Sequence, residues 1–408
     1  MDLVSFQEAQ TINHRLDIPE LSLVDRDIYA AYGEILGSDI ICHRPLPAFD
    51  NSAMDGYALK STDLGKKLKV TSRILAGEDT RTQEVLSGSC VKIMTGGMVP
   101  KGADVVAPFE VVEVVDKDMM IAPHDLQIGA NIRFKGEEQA IGSVLAKRGE
   151  KLTHGLIALI ASQGISKLPI LRKLKIGVYS TGNEIIEPDQ KAKEHQIYNI
   201  NAVGIISLLQ AYGHQAQYLG ILKDSSEALM GAIGDFESHD VVITSGGAST
   251  GEADILEQSL RRCEAKILYH GINLKPGRPI MLATLGKCTI FALPGNPLSG
   301  LLNLNAIVIP TLERLRGARS FYPCAMGAYL KDPLKLKEGR VHMILGRYDN
   351  GVFVPFKNGK QGSGAVNAIS NSNAIALVGE QKSLLQGHIK ILPYVMEFSD
   401  TMGAYINE

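Results

Sequence analysis

Cysteine is scarce in this chain: five in 408 residues, at positions 42, 90, 263, 288 and 324. They are scattered, odd in number and form no CxxC pair, which excludes a sulfur-rich metal site and points to a reducing cytosol. An excess of either charge is also lacking, since 42 Lys and Arg stand against 44 Asp and Glu. That balance argues against a nucleic-acid protein. No apolar run is long enough to span a bilayer. The opening residues Met1-Asp2-Leu3-Val4-Ser5-Phe6-Gln7-Glu8 have neither a basic region nor an apolar stretch, so no secretory signal is expected there. The short nucleotide and metal patterns GxxxxGK[ST], GxGxxG after a strand, HExxH and the EF-hand loop are missing too. What remains, with 45% apolar and 21% charged residues, is a folded protein of more than one domain, expected in the cytoplasm.

The most informative segment runs from Val241 to Asp254, VVITSGGASTGEAD. A β-branched run passes into a glycine- and hydroxyl-rich turn and then into an acidic helix start. Strand, tight loop and helix N-terminus would gather unpaired backbone N–H groups around one small volume. Such a volume suits an anion, with Glu252 or Asp254 placed to hold a hard cation. Local chemistry fits equally well an ordinary βα turn in which Asp254 caps the helix. A second loop of the same character favours the ligand site. The apolar run 289–293 leads into Pro294-Gly295-Asn296-Pro297-Leu298-Ser299-Gly300, stiffened by its prolines. A third loop, Ser180-Thr181-Gly182-Asn183-Glu184, follows the strand expected over 174–179. Open α/β sheets bind ligands outside the carboxyl ends of their strands, where all three loops would lie.

These loops, together with Asp50-Asn51-Ser52-Ala53-Met54-Asp55-Gly56-Tyr57-Ala58 upstream, resemble those of the molybdopterin molybdenumtransferases. This is the MoeA family, whose animal relatives form the carboxyl-terminal part of gephyrin. Ile93-Met94-Thr95-Gly96, Arg133-Phe134-Lys135-Gly136-Glu137 and Lys275-Pro276-Gly277-Arg278-Pro279 match as well. The motifs follow the family's order over essentially the whole chain.

Texture along the chain predicts a multidomain α/β protein. Apolar spacing at Leu23, Ile28, Ala31, Ile35 and Leu36 suggests helix. Short alternating stretches at 68–74, 90–94 and 105–115 suggest β structure. The expected divisions are a helical domain in two parts (1–44 and 143–172), an inserted β domain (45–142), a molybdopterin-binding α/β domain (173–319) and a β-rich module (320–408). The third is expected to be a doubly wound, mainly parallel sheet with helices over 202–211, 225–233, 253–260 and 299–315. In the tail, strands are expected at 341–345, 352–356, 374–378 and 389–393.

The resemblance implies insertion of molybdate into adenylated molybdopterin, with release of AMP and formation of molybdenum cofactor. Mg²⁺ would bridge substrate oxygens, held by Glu184, Asp224 and Asp254. Asp55 and Lys275 join these three as catalytic candidates. The expected substrate-binding set is Thr181, Gly182, Ser245, Gly246, Gly247, Ser249, Thr250, Gly251, Arg278, Pro294, Gly295, Asn296, Pro297, Ser299, Thr95 and Glu138. Two cations around a Pro-Gly turn, Lys275 and Arg278, suit phosphate or molybdate. Each carboxylate also has a plainer reading, as a helix cap or a solvated group; Asp224 precedes Ser225 and Ser226 and would make a cap. Where the family commonly carries Gly-Glu-Asp, this chain has Gly136-Glu137-Glu138. In the family the inserted domain closes the partner's cleft, so a homodimer is implied, with Asp55 and Thr95 completing the partner's site. Contacts with a molybdopterin adenylyltransferase and with maturation proteins of molybdenum enzymes are further expectations. The alternatives are a molybdopterin adenylyltransferase, built on the same sheet, and a non-catalytic binding or scaffold protein. Gly247-Ala248-Ser249-Thr250-Gly251 fits the G-x-S-x-G pattern of hydrolases, but its serine stands too far past the strand for that elbow, and no histidine follows at triad spacing.

Overall fold

The computed structural model describes residues 3–246, 253–360, 362 and 364–395, with the side chains of residues 253 and 254 outside that description. Its architecture is a multidomain α/β fold with three six-stranded sheets among the described residues. None of the described helices is long and apolar enough to cross a membrane.

The central sheet places its strands in the order Ala216–Leu222, Ile176–Thr181, Val241–Ser245, Cys288–Leu293, Met281–Leu285, Lys266–His270. The first four are mutually parallel, and Met281–Leu285 turns back antiparallel to Cys288–Leu293. All residues of Ile176–Thr181, Val241–Ser245 and Cys288–Leu293 are buried. Strands covered on both faces have no reason to alternate apolar and polar residues, hence the unbroken apolar runs. Val241 and Ile243 face a core shared with the helices Ile200–Ala211 and Pro297–Asn303. Val242 faces the opposite core, shared with Ser226–Ile233 and Ala253–Arg262. The period of two thus aims one strand at two layers.

Upstream, a second sheet takes Val105–Pro108, Gly56–Leu59, Ser89–Ile93, Lys67–Ile74, Met119–Ile121 and Glu113–Val114 in that order. Downstream, Val341–Asp349, Val352–Pro355, Met326–Lys335, Leu384–Pro393 and Ala374–Val378 form the third. Pairing of the first of these with the last closes that sheet on itself. Leu274–Lys275 pairs in parallel with Val341–Asp349, so the turn that follows it stands against the carboxyl-terminal module.

Several elements differ from the sequence reading. The stretch 23–36 is not helical: Leu23–Asp27 is a strand paired antiparallel with Lys167–Leu171, followed by one 3₁₀ turn, Ile28–Ala30. Asp27 ends the strand and caps that turn, accepting the Tyr29 N–H at 2.9 Å. The helix-like spacing arises because Ile28, Ala31 and Leu36 bury against the core around Leu152 and Leu168. Helix in this region is confined to Phe6–His14 and His154–Ala161. The helix expected over 299–315 begins at Pro297 and carries a π-helical insertion, Leu304–Val308. The strands not expected include Lys167–Leu171, Leu274–Lys275, Met281–Leu285 and Met326–Lys335.

The α/β unit meets the amino-terminal region through a buried ionic group. His214, 5% exposed, has Nε2 at 3.1 Å from Glu313 Oε1. Arg316 Nε and Lys151 Nζ lie 3.3 and 3.9 Å from Glu313 Oε2. Burial pushes His214 below its ordinary 6.5, outweighing the upward pull of Glu313. Burial pushes Glu313 up, but the close contact with His214 and the charges of Arg316 and Lys151 outweigh it and hold Glu313 low. Glu313 is thus ionised against two permanent cations, while His214 is neutral. Both folded-state values lie below the unfolded ones, so both groups lose stability for the protein as pH falls. His214 acts first, below about 6.5, because the unfolded chain binds a proton that the folded one refuses. The thermal midpoint should therefore fall between pH 7.5 and pH 5.5, and His214→Gln should fall less steeply. Parallel curves for the two proteins would reject this assignment.

Candidate functional site

Three adjacent strands end side by side, and their loops form one rim. Ile176–Thr181 delivers Thr181 to Glu184, Val241–Ser245 delivers Gly246, and Cys288–Leu293 delivers Pro294 to Asn296. Between them lies a cleft of about 340 Å³ lined by Thr181, Glu184, Asn199, Gly246, Pro294 and Asn296, among others. The rim is tied together. Thr181 Oγ1 donates to the Ser245 carbonyl at 3.3 Å, and the Gly246 N–H donates to the Leu293 carbonyl at 3.0 Å. From the helix Ile200–Ala211, Asn201 Nδ2 reaches over to the Gly295 carbonyl at 2.7 Å. Gly246 has φ +100°, and a Cβ there would come within 2.7 Å of the Thr181 carbonyl oxygen. Only glycine accommodates that backbone and that approach.

Two of the expected carboxylates meet at this rim. Asp224 Oδ2 accepts the Asn183 N–H at 3.2 Å, and the Asp224 N–H donates to Asn183 Oδ1 at 3.3 Å. Burial first, and then the charge of Glu184, push the Asp224 carboxyl above its ordinary range, against the Asn183 bond. A carboxylate raised by its neighbour's charge is relieved by a cation between the two. The cap of the following helix Ser226–Ile233 is Ser225, which accepts the Ala228 N–H at 3.2 Å, so Asp224 is not its cap. Asp254, the third expected metal ligand, has its backbone at the second position of the helix Ala253–Arg262; its side chain lies outside the described residues. No cluster of three His, Cys, Asp or Glu suited to a metal occurs among the described residues. Glu184 and Asp224 alone offer hard oxygen donors of the type Mg²⁺ takes, short of a full set.

The remaining expected residues divide into groups. Thr181, Gly246, Pro294, Gly295, Asn296 and Pro297 line the cleft. Gly182 adjoins them at φ +147°. Ser245 is buried at the strand end, and its Oγ, like Thr244 Oγ1, has no hydrogen-bond partner among the described residues. Ser299 is buried in the helix Pro297–Asn303. Lys275 and Arg278 are exposed, and their turn adjoins the cleft through Pro279. Gly247, Ser249, Thr250 and Gly251 lie outside the described residues.

Asp55 and Thr95 come together in the upstream sheet, where Gly56 pairs with Ile93. Asp55 Oδ1 accepts the Thr95 N–H at 2.7 Å and the Thr95 hydroxyl at 2.8 Å. Those bonds, the backbone one foremost, hold the exposed Asp55 carboxyl below its ordinary value. Within one chain this pair does not line the cleft. Nor does Glu138, which is exposed and whose N–H donates to the Leu46 carbonyl at 2.9 Å.

Sequence reasoning missed the asparagines that organise the rim: Asn183, Asn199 and Asn201. Asn199 Oδ1 accepts from Ser180 Oγ at 2.7 Å and from the Ala202 N–H at 3.2 Å, capping the helix Ile200–Ala211. Its Nδ2 donates to the Tyr218 hydroxyl at 2.7 Å. An asparagine just before an apolar helical run was the available signal.

Comparison with known proteins matches three family descriptions in register. Residues 4–164 match the MoeA N-terminal region (domain I and II), 177–314 a probable molybdopterin binding domain, and 327–388 the MoeA C-terminal region (domain IV). Among relatives, the molybdopterin molybdenumtransferase of Haemophilus influenzae is 34% identical over 364 residues, covering 87% of this chain and 89% of that protein. That of Staphylococcus aureus (strain MSSA476) is 27% identical over 391 residues, covering 92% and 91%. The crystal structure of the molybdopterin biosynthesis moeA protein from Pyrococcus horikoshii OT3 superposes with a TM-score of 0.81 at 28% identity. It covers 96% of this chain and 100% of the archaeal one.

Proposed function

Since the chain belongs to the MoeA family of molybdopterin molybdenumtransferases, we propose that it inserts molybdate into adenylated molybdopterin, releasing AMP and forming molybdenum cofactor. The observation that carries this reading is the rim itself. Three strand-end loops converge on one cleft, with Glu184 and Asp224 electrostatically coupled at its edge.

The reaction brings two anions together and breaks the link between the adenylyl phosphate and the pterin phosphate, an oxygen from molybdate or water bonding to phosphorus as that link breaks. Lys275 and Arg278 offset the negative charge from the carboxyl-terminal side. Backbone N–H groups at the strand ends orient oxygens from that side. Glu184, Asp224 and Asp254 are the residues that would hold Mg²⁺, which would supply charge neutralisation to the anionic substrates. The pterin's own dithiolene sulfurs receive molybdenum, so scattered cysteines are no obstacle. Cys90 and Cys288 are buried, and burial pushes both thiols up to about 12, far from the thiolate a soft metal needs. Incubation with adenylated molybdopterin plus molybdate should release AMP, while molybdopterin plus ATP should not react. Reaction of the second mixture alone would make the protein an adenylyltransferase.

The active unit proposed is a cytoplasmic homodimer in which the inserted domain, 45–142, closes the partner's cleft. Support comes from the amino-terminal region, where Tyr29 is 97% and Tyr32 72% exposed in the segment that follows the exposed Leu23 and Val24. An apolar patch of that kind suits a self-complementary two-fold interface. Docking of an adenylyltransferase and of maturation proteins belongs to the same proposal. Asp55→Ala and Asp254→Ala, each inactive alone, should regain up to half of wild-type activity when subunits exchange. One site of the heterodimer is then built from two intact surfaces and the other carries both lesions. Verified heterodimers as inactive as their parents would reject the shared cleft.

A further inference from the structure

We propose that Asn303, a residue outside every motif of the site, is a positioning residue for the cationic turn Lys275-Pro276-Gly277-Arg278. Asn303 is 0% exposed, and its Nδ2 donates to the Gly277 carbonyl at 2.7 Å. Among the described residues it is the one side chain that hydrogen-bonds the backbone of this turn. Gly277 has φ +101°, and a Cβ built there would lie 2.6 Å from Asn303 Oδ1 and 2.8 Å from Nδ2. The amide therefore packs flat against the space that any side chain at 277 would occupy. Asn303 Oδ1 is itself buried, with no hydrogen-bond partner among the described residues. Leaving an acceptor unpaired in a dry interior is unfavourable, so the stability of the core alone does not account for an asparagine here.

The location of Asn303 gives the contact its meaning. It is the last residue of the helix Pro297–Asn303, whose N-cap Asn296 stands on the rim of the cleft. A π-helical insertion, Leu304–Val308, begins at the next residue. Such insertions displace side chains from the regular helical face and gather at functional positions. The turn is closed on itself by the N–H groups of Ile272 and Ile280, both donating to the Arg278 carbonyl at 3.0 Å. Lys275 is anchored in the strand Leu274–Lys275 beside His342. Asn303 thus joins the turn to the helix that starts at the rim, so that Arg278 and Lys275 keep a fixed distance from Asn296. Their own side chains are exposed and make no ion pair among the described residues, so backbone placement decides where the charges stand.

The inference rests on the reading of the turn as the cationic side of the substrate site, and two readouts separate the two claims. Asn303→Leu keeps the volume and removes the donor; Asn303→Ala guards against misfolding caused by the leucine. Hydrogen exchange should quicken at least tenfold at the Ile272 and Ile280 amides, with the amides of Val241–Ser245 unchanged. Affinity for AMP and for molybdate, each measured alone, should fall about tenfold in the wild-type background. It should not fall further in an Arg278→Ala, Lys275→Ala background, because a residue acting only through those side chains has nothing left to position. Unchanged exchange in the turn, or losses of affinity that simply add, would overturn the proposal. Quickened exchange in a protein whose wild type binds neither anion would uphold the clamp and reject the substrate reading.

Discussion

Asp254→Asn should lower molybdate-dependent AMP release by about two to three orders of magnitude while leaving the fold intact, a loss of the size seen when one preorganised charge-stabilising group is removed. Its backbone stands at the second position of the helix Ala253–Arg262, which follows the strand ending at the rim. Asparagine keeps the shape and one acceptor oxygen but not the charge, so it separates ionic from steric roles. An ionised group at a helix start also gains from the helix dipole, but that gain is only about 0.3–1 kcal/mol and cannot explain a thousandfold effect. Steady-state AMP release at saturating Mg²⁺, with thermal unfolding as a control, makes the comparison. Turnover equal to wild type would remove Asp254 from the metal set.

A second large effect is expected at Gly246, where no charge changes at all. Gly246→Ala introduces a Cβ at φ +100° that would stand 2.7 Å from the Thr181 carbonyl oxygen. Strain of about 1–3 kcal/mol follows from the dihedral alone. Relief requires the loops after Thr181 and Ser245 to separate, which breaks the Thr181 Oγ1 bond to the Ser245 carbonyl. A shift of about 1 Å among positioning groups lowers catalysis by about a hundredfold. The variant should therefore lose both activity and stability, read as AMP release and as the urea midpoint. Retention of both would mean that the rim is not rigid.

The parts of this site that were legible in the sequence are those written locally. A β-branched run ending in glycine or proline announces a strand and its loop together, and three such runs lie at 176–181, 241–245 and 288–293. The family motifs added Asp55 and Thr95, which the folded chain joins by two hydrogen bonds across neighbouring strands. Contacts between distant residues were not legible. Asn303 reaches back 26 positions to Gly277, and Asn201 reaches forward 94 to Gly295. Neither spacing leaves a periodic trace. Met281–Leu285 escaped for a related reason: it carries one β-branched residue, Thr284, and its pairing with Cys288–Leu293 defines it. Across 23–36 the apolar spacing was real but misread, because burial against the segment around Leu168 produced it instead of a helix. Periodicity reports which residues are buried, and only indirectly what the backbone does.

The central claim is that AMP release and molybdenum insertion are one event in this cleft. Its most direct measurement is the ratio of molybdenum bound by the released pterin to AMP formed, in a single turnover with adenylated molybdopterin and molybdate. The wild type should give one molybdenum per AMP, and Asp254→Asn neither product on the same timescale. AMP formed freely without molybdenum entering the pterin would contradict it.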